Sequence, residues 1–226
     1  MGGICPEATS EFYGKLIKKL QKKRLIKRNS DYPQIIINSI PAPELVFDKI
    51  SNADLKQYAD GLSLLDKTGV DFIVMVCNTI HLYYERLQKE INTPILDLRK
   101  EVKRTLINGT GKVLVLGTPA TIKYGLYEFQ DIEYFKLTKK ELDQISDSIL
   151  RFNCGDYSDE PTKISRKYIR RGARVILACT ELALMLEKIP NINTVDVLVD
   201  ATIDKFLSLK YQGSKIIDKG AGPNRR

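Results

Sequence analysis

The chain has 226 residues, enough to bury the core of one large domain or two small ones. Apolar residues make up 43% and charged residues 28%, which excludes a disordered or fibrous class. The formal charge of +8 is spread over many segments, and its densest cluster, Lys18 to Arg28, carries no aromatic ladder or nucleic-acid motif. No nucleic-acid partner is therefore expected, although a positive field favours an anionic substrate. No apolar run approaches the roughly 20 residues that span a bilayer, so no membrane partner is expected. The opening Met1-Gly2-Gly3-Ile4-Cys5-Pro6 lacks the basic stretch and apolar core of a signal peptide, and the expectation is a cytoplasmic protein.

In chain order, helical periodicity at 7–23 precedes a strand pattern at 34–39 (QIIINS). A helix at 54–67, a strand at 71–76 (DFIVMV) and a helix at 80–90 follow, with a short extended piece at 95–96. Next come a helix at 98–107, a strand at 112–116 (KVLVL), a helix at 119–129 and a second extended piece at 133–136. Helices at 139–151 and 161–171 lead to a strand at 174–178 (RVILA), a helix at 182–187, a strand at 195–199 (VDVLV) and a helix at 201–210. The strands are continuous, Val- and Ile-rich runs, as parallel strands buried on both faces require. Their alternation with helices predicts an α/β fold with parallel-type sheets flanked by helices.

The chain also resembles itself. Cys5-Pro6-Glu7-Ala8-Thr9 before an aromatic-bearing helix is answered by Gly117-Thr118-Pro119-Ala120-Thr121 before another. The strand ending in Cys77-Asn78-Thr79 is answered by the strand ending in Cys179-Thr180-Glu181. Two features in the same order divide the chain into a first half at 1–98, a second half at 99–199 and a polar tail at 213–226. The C-terminal helix, about 200–212, is expected to pack on the first half.

Of the four cysteines, none forms a Cys-x-x-Cys pair, and the single histidine is His81, so neither a metal site nor, in a reducing compartment, a disulfide is expected. A lone cysteine after a strand is usually packing. Two at equivalent places in half-repeats, each followed by amide or hydroxyl residues, read instead as reactive thiols. A helix start after each would lower the thiol pKa and seat a carboxylate. Two thiols on opposite sides of one carbon suit one reaction: a thiolate removes a Cα proton and a thiol returns one to the other face. Cys154, in a polar Asn-Cys-Gly-Asp turn, reads as incidental, and Cys5 as a residue near the cleft without an assigned role.

The stretches MGGICPEAT, VCNTIH, LGTPATIKYGLYE and LACTE resemble the aspartate/glutamate racemase family, nearest its aspartate racemase branch. The resemblance implies two similar α/β domains with the active site at their interface, and cofactor-independent racemisation of a small amino acid or dicarboxylic acid by Cys77 and Cys179. It also implies a homodimer. By position, Pro6, Thr9, Asn78, Thr79, Thr118, Thr121 and Thr180 would bind substrate, with His81 and Glu181 tuning the thiols. Related two-cysteine enzymes of maleate-isomerase or hydantoin-racemase type, or a catalytically idle acid-binding homologue, remain alternatives.

Two departures stand out. The arginine that grips a side-chain carboxylate in aspartate racemases falls at Leu45 here, and an expected lysine falls near Asn153, with Arg151 close by. The family also places a strand directly before the paired glycines, where this chain begins at Met1. Without such a strand, exposed strand edges and a destabilised first half are expected.

Overall fold

The structure, a computed structural model, describes residues 1–220, with side chains as far as Lys210. Its regular sheet has four parallel strands in the order β2-β1-β3-β4. The central pair, β1 (Val113–Gly117) and β3 (Arg174–Ala178), runs in register from Val113 opposite Arg174 to Gly117 opposite Ala178. Short edges are added by β2 (Tyr134–Phe135) and β4 (Ile192–Asn193).

Strand alternation sorts the apolar side chains between two layers. Val113 and Ile176 join Leu16, Leu20, Val102, Leu198 and Val199 on one side. Leu114, Leu116, Val175 and Leu177 join Ile145, Ile149, Ile164 and Tyr168 on the other. The first layer is supplied by α1 (Pro6–Lys22), α4 (Leu98–Ile107) and α9 (Thr194–Gly220). The second is supplied by α6 (Lys139–Asn153) and α7 (Glu160–Ile169). The α/β class with a parallel sheet flanked by helices is as the sequence predicts.

The expected strand at 195–199 is instead the first turns of α9. Val195, Leu198 and Val199 are spaced for one face of a helix, and all three are buried. The Asn193 side chain accepts from Val195 N and Thr194 donates to the Leu177 carbonyl, so the helix starts at Thr194 and not at the expected 201. The helix also continues through Gly220, into the stretch expected as a tail, while 221–226 lie outside the described residues. The helix expected at 80–90 divides into a 3-10 turn, Thr79–Tyr83, and α3 (Tyr84–Lys89). The one at 119–129 closes early as α5 (Pro119–Lys123), because Gly125 takes φ +59.

The first half holds no regular strand among the described residues. Its two expected strands are joined to their surroundings only by single parallel bridges, Gly2 with Ser39 and Ile73 with Ile95. Met1–Gly2 lies between them. Gly2 N donates to Asn38 O and Ile40 N to Gly2 O on one side; the Met1 amino group donates to Val74 O and Val76 N to Met1 O on the other. Beyond that two-residue bridge, Gln34–Ile37 and Phe72–Val74 face a cavity of about 610 Å³, floored by Phe12, Leu16 and Ile203. Ile35, Ile36 and Ile37 are exposed, at 36%, 40% and 50%. The expected exposed edge is seen along residues 35–37. A capped helix, α2 (Asn52–Asp66), covers the outer face, with Ser51 and Asp54 forming a reciprocal capping box.

Candidate active site

The two cysteines end matching segments. Cys77 follows the extended run 71–76 and opens the 3-10 turn Thr79–Tyr83. Cys179 follows β3 and is the extended N-cap of α8 (Thr180–Met185). Both are buried, at 7% and 4% exposed. Cys77 lies within electrostatic reach of Cys179, and Glu181 within reach of both. Cys5, the N-cap of α1, lies within electrostatic reach of Cys77 and Glu181. Cys154 is exposed at the end of α6.

The expected lowering of thiol pKa is not found. Burial pushes Cys77 up to about 12 and Cys179 well above its ordinary value. At Cys77 the backbone N–H groups of Ile80 and Thr79 pull the other way, but desolvation is larger. At Cys179 the Glu181 carboxylate adds to burial: the thiol donates to Glu181 Oε2 at 2.8 Å, and Thr180 Oγ1 donates to the same oxygen at 2.9 Å. Both thiols are therefore held protonated by their surroundings.

Around them lie buried polar groups from both halves. The hydroxyls of Thr79, Thr118 and Thr121 form a triangle with sides of 3.0, 3.0 and 3.1 Å. Thr118 is also the N-cap of α5, accepting from Thr121 N at 3.1 Å. Asn78 accepts from the Tyr127 hydroxyl at 2.6 Å, and its buried Nδ2 has no partner. Tyr127 was not singled out by sequence, since one aromatic in an amphipathic stretch signals only core.

His81 is fully buried and its Nδ1 lies 2.8 Å from the Cys77 carbonyl oxygen. A carbonyl only accepts, so Nδ1 carries the hydrogen and Nε2 is bare. Burial lowers its pKa, leaving a neutral ring that braces the Cys77 backbone. Thr9 is spent locally, donating to Cys5 O and accepting from Gly3 N, both at 3.1 Å. Pro6 is exposed at the first turn of α1. Of the expected binding residues, these two are the ones not brought into the polar cluster.

The loop before α2 closes over the thiols. Leu45 belongs to the apolar cluster that contains Cys77, and Val46 to the one that contains Cys179. Tyr58 donates to the Pro43 carbonyl, and Ala120 N to the Val46 carbonyl at 3.0 Å, pinning the loop to both halves. Arg151 is exposed and paired with Asp156 and Asp147, and Asn153 is exposed. Among the described residues no cluster of His, Cys, Asp and Glu could hold a metal ion. Nor is any described helix long and apolar enough to cross a membrane.

A family model described as Asp/Glu/Hydantoin racemase matches residues 1–202. The chain is 30% identical over 220 residues to the broad specificity amino-acid racemase RacX of Bacillus subtilis, covering 92% of this chain and 97% of that protein. Its fold is similar to the aspartate racemase of Picrophilus torridus, with a TM-score of 0.71 at 23% identity over 90% of this chain and 91% of that one. An aspartate racemase homologue from Pyrococcus horikoshii OT3 gives 0.67 at 24% identity over 90% and 95%.

Proposed function

The chain belongs to the Asp/Glu/hydantoin racemase family, and on that premise we propose that it is a cofactor-independent amino-acid racemase working through Cys77 and Cys179. The observation that carries this reading is the pair of buried thiols, one from each half, with the Glu181 carboxylate accepting from one of them. When substrate displaces water and Glu181 takes the Cys179 proton, the resulting thiolate can remove the Cα proton. Cys77 then delivers its own proton to the opposite face, leaving a thiolate there and a thiol on Cys179. The reverse turnover exchanges these states, so one proton serves the pair in both directions. The carbanion's charge spreads into the α-carboxylate, where the unpaired Asn78 Nδ2 and backbone N–H groups after Cys77 and Cys179 would hold it.

The side chain of the substrate is the less specified part. A second carboxylate would find Leu45 rather than a cation beside it, which favours a neutral side chain over aspartate. We include a homodimer in the proposal, to be checked by light scattering.

The test is Cα proton exchange in heavy water, over a panel of alanine, leucine, serine, lysine, aspartate, glutamate and small dicarboxylates, without added cofactor. Exchange with at least one amino acid is expected, and its loss in both Cys77→Ser and Cys179→Ser with the fold retained. If both variants kept full activity, the cysteine mechanism would be wrong. The raised thiol pKa values favour one second reading, an idle acid-binding homologue. It would show calorimetric binding of a panel acid with no exchange at any pH.

A further inference from the structure

The Asn78 amide carries a contradiction that its own half does not resolve. A buried amide with two unpaired N–H donors is costly, and an amide can relieve that cost by rotating. Asn78 is 2% exposed and its Nδ2 has no partner. What holds it is a hydroxyl from the other half: Tyr127 donates to Oδ1 at 2.6 Å. Burial raises the Tyr127 phenol well above its ordinary pKa, so the hydroxyl stays protonated and remains a donor. Its ring is 1% exposed, packed with Phe12, Val76 and Ala178, and its backbone carbonyl accepts from Tyr134 Oη at 2.7 Å. The donor is thus fixed from two directions. Rotating the amide would strand the hydroxyl hydrogen and leave Oδ1 where Nδ2 now lies.

We propose that Tyr127 is a positioning residue: it fixes the Asn78 amide so that both Nδ2 hydrogens face the cleft and meet the substrate α-carboxylate. This rests on the reading of Asn78 as a carboxylate-binding group. Without the hydroxyl, the amide samples the rotated state, which puts lone pairs against a carboxylate. The substrate then binds less often in productive form, while the thiols and Glu181 are untouched.

The experiment is a double-mutant cycle of Tyr127→Phe and Asn78→Ala, read by heavy-water exchange kinetics on whichever panel amino acid exchanges fastest. Phenylalanine keeps the ring in the core, and KM does not depend on the fraction of protein folded. Tyr127→Phe should raise KM about tenfold with kcat changed less than threefold, the loss of roughly one charged hydrogen bond's orientation. Asn78→Ala should cost about as much or more, and adding Tyr127→Phe to it should cost nothing further. A purely structural tyrosine would instead add its full effect in the Asn78→Ala background, and that result overturns the proposal. So does an unchanged KM in Tyr127→Phe while Asn78→Ala is impaired, which leaves the carboxylate reading standing. An Asn78→Ala enzyme of normal KM, or a panel with no exchange, overturns the reading beneath it.

Discussion

The resting state of the thiols can be tested directly by alkylation. An ordinary thiol has a pKa of 9.0, and burial pushes Cys77 to about 12. At pH 8 that difference lowers the thiolate fraction by roughly a thousandfold. A more basic thiolate is intrinsically more nucleophilic, with a Brønsted slope near 0.45, which returns about twentyfold. Cys77 should therefore react with iodoacetamide roughly fiftyfold more slowly than glutathione, before any steric shielding, as these two opposing factors combine. Peptide mass spectrometry after timed quenching gives the rate at Cys77, with exposed Cys154 as an internal check that the reagent is active. The rate should still climb about tenfold per pH unit up to pH 10, since the thiol has not reached its titration midpoint. A plateau below pH 9, or a rate within threefold of glutathione, would show that Cys77 is already a thiolate without substrate. Burial would then not be the dominant influence.

Four further outcomes follow from named contacts. Glu181→Gln should make Cys179 more readily alkylated, because it removes the carboxylate that holds that thiol's proton, yet should slow Cα exchange at least tenfold, since general-base contributions are about that size or larger. At Glu141, burial raises the carboxyl, but bonds from Lys167, Thr138 and Tyr168 outweigh it and hold it at about 2 against an ordinary 4.5. Its contribution is present above pH 4.5 and lost as pH falls toward 2; urea titrations at pH 7 and 3 should show about 1 kcal/mol lost, after discounting for the exposed Lys167, and Glu141→Gln should lose that dependence. Gly3 has φ +95, and a Cβ there would lie 2.2 Å from Ile40 O, so Gly3→Ala should destabilise the protein by about 2 kcal/mol or more and lower the melting midpoint. An engineered five-residue Val/Ile extension ahead of Met1 should enter the 610 Å³ cavity and raise Tm by about 5 °C or more, whereas a Gly/Ser extension of equal length should not.

The sequence was most legible where one local rule decides. The strands at 112–116 and 174–178 are apolar throughout because both faces are covered, and both form the sheet centre. The run 195–199 is equally apolar, but Asn193 and Thr194 ahead of it are helix-starting residues, and that signal outranks Val-rich composition. The first-half runs have strand composition yet form only bridges, because a strand is made by its neighbour and not by itself. At the site, the two half-repeats point to Cys77 and Cys179, both of them buried and within electrostatic reach of each other. Tyr127 could not be read, since its partner is 49 residues away in the other half. Thiol acidity was misjudged in sign: strand-end geometry can be inferred from a pattern, whereas desolvation depends on everything packed over the sulfur.

The threonine triangle has a consequence for how the ends of an amino acid are told apart. Three hydroxyls own three hydrogens, and three oxygen–oxygen contacts closed in a ring use all of them. Whichever way the hydrogens circulate, nothing is left to donate outward. Thr118 spends a further lone pair on a backbone N–H, while Thr79 and Thr121 each keep one free. So long as it stays closed, the ring is a purely accepting surface, complementary to an ammonium and repellent to a carboxylate. Asn78, one residue before Thr79, offers two unpaired donors, its Oδ1 being engaged by Tyr127. Neighbouring positions thus carry opposite hydrogen-bond polarity, and in the proposed site that contrast would orient a zwitterion in one direction, whatever its side chain.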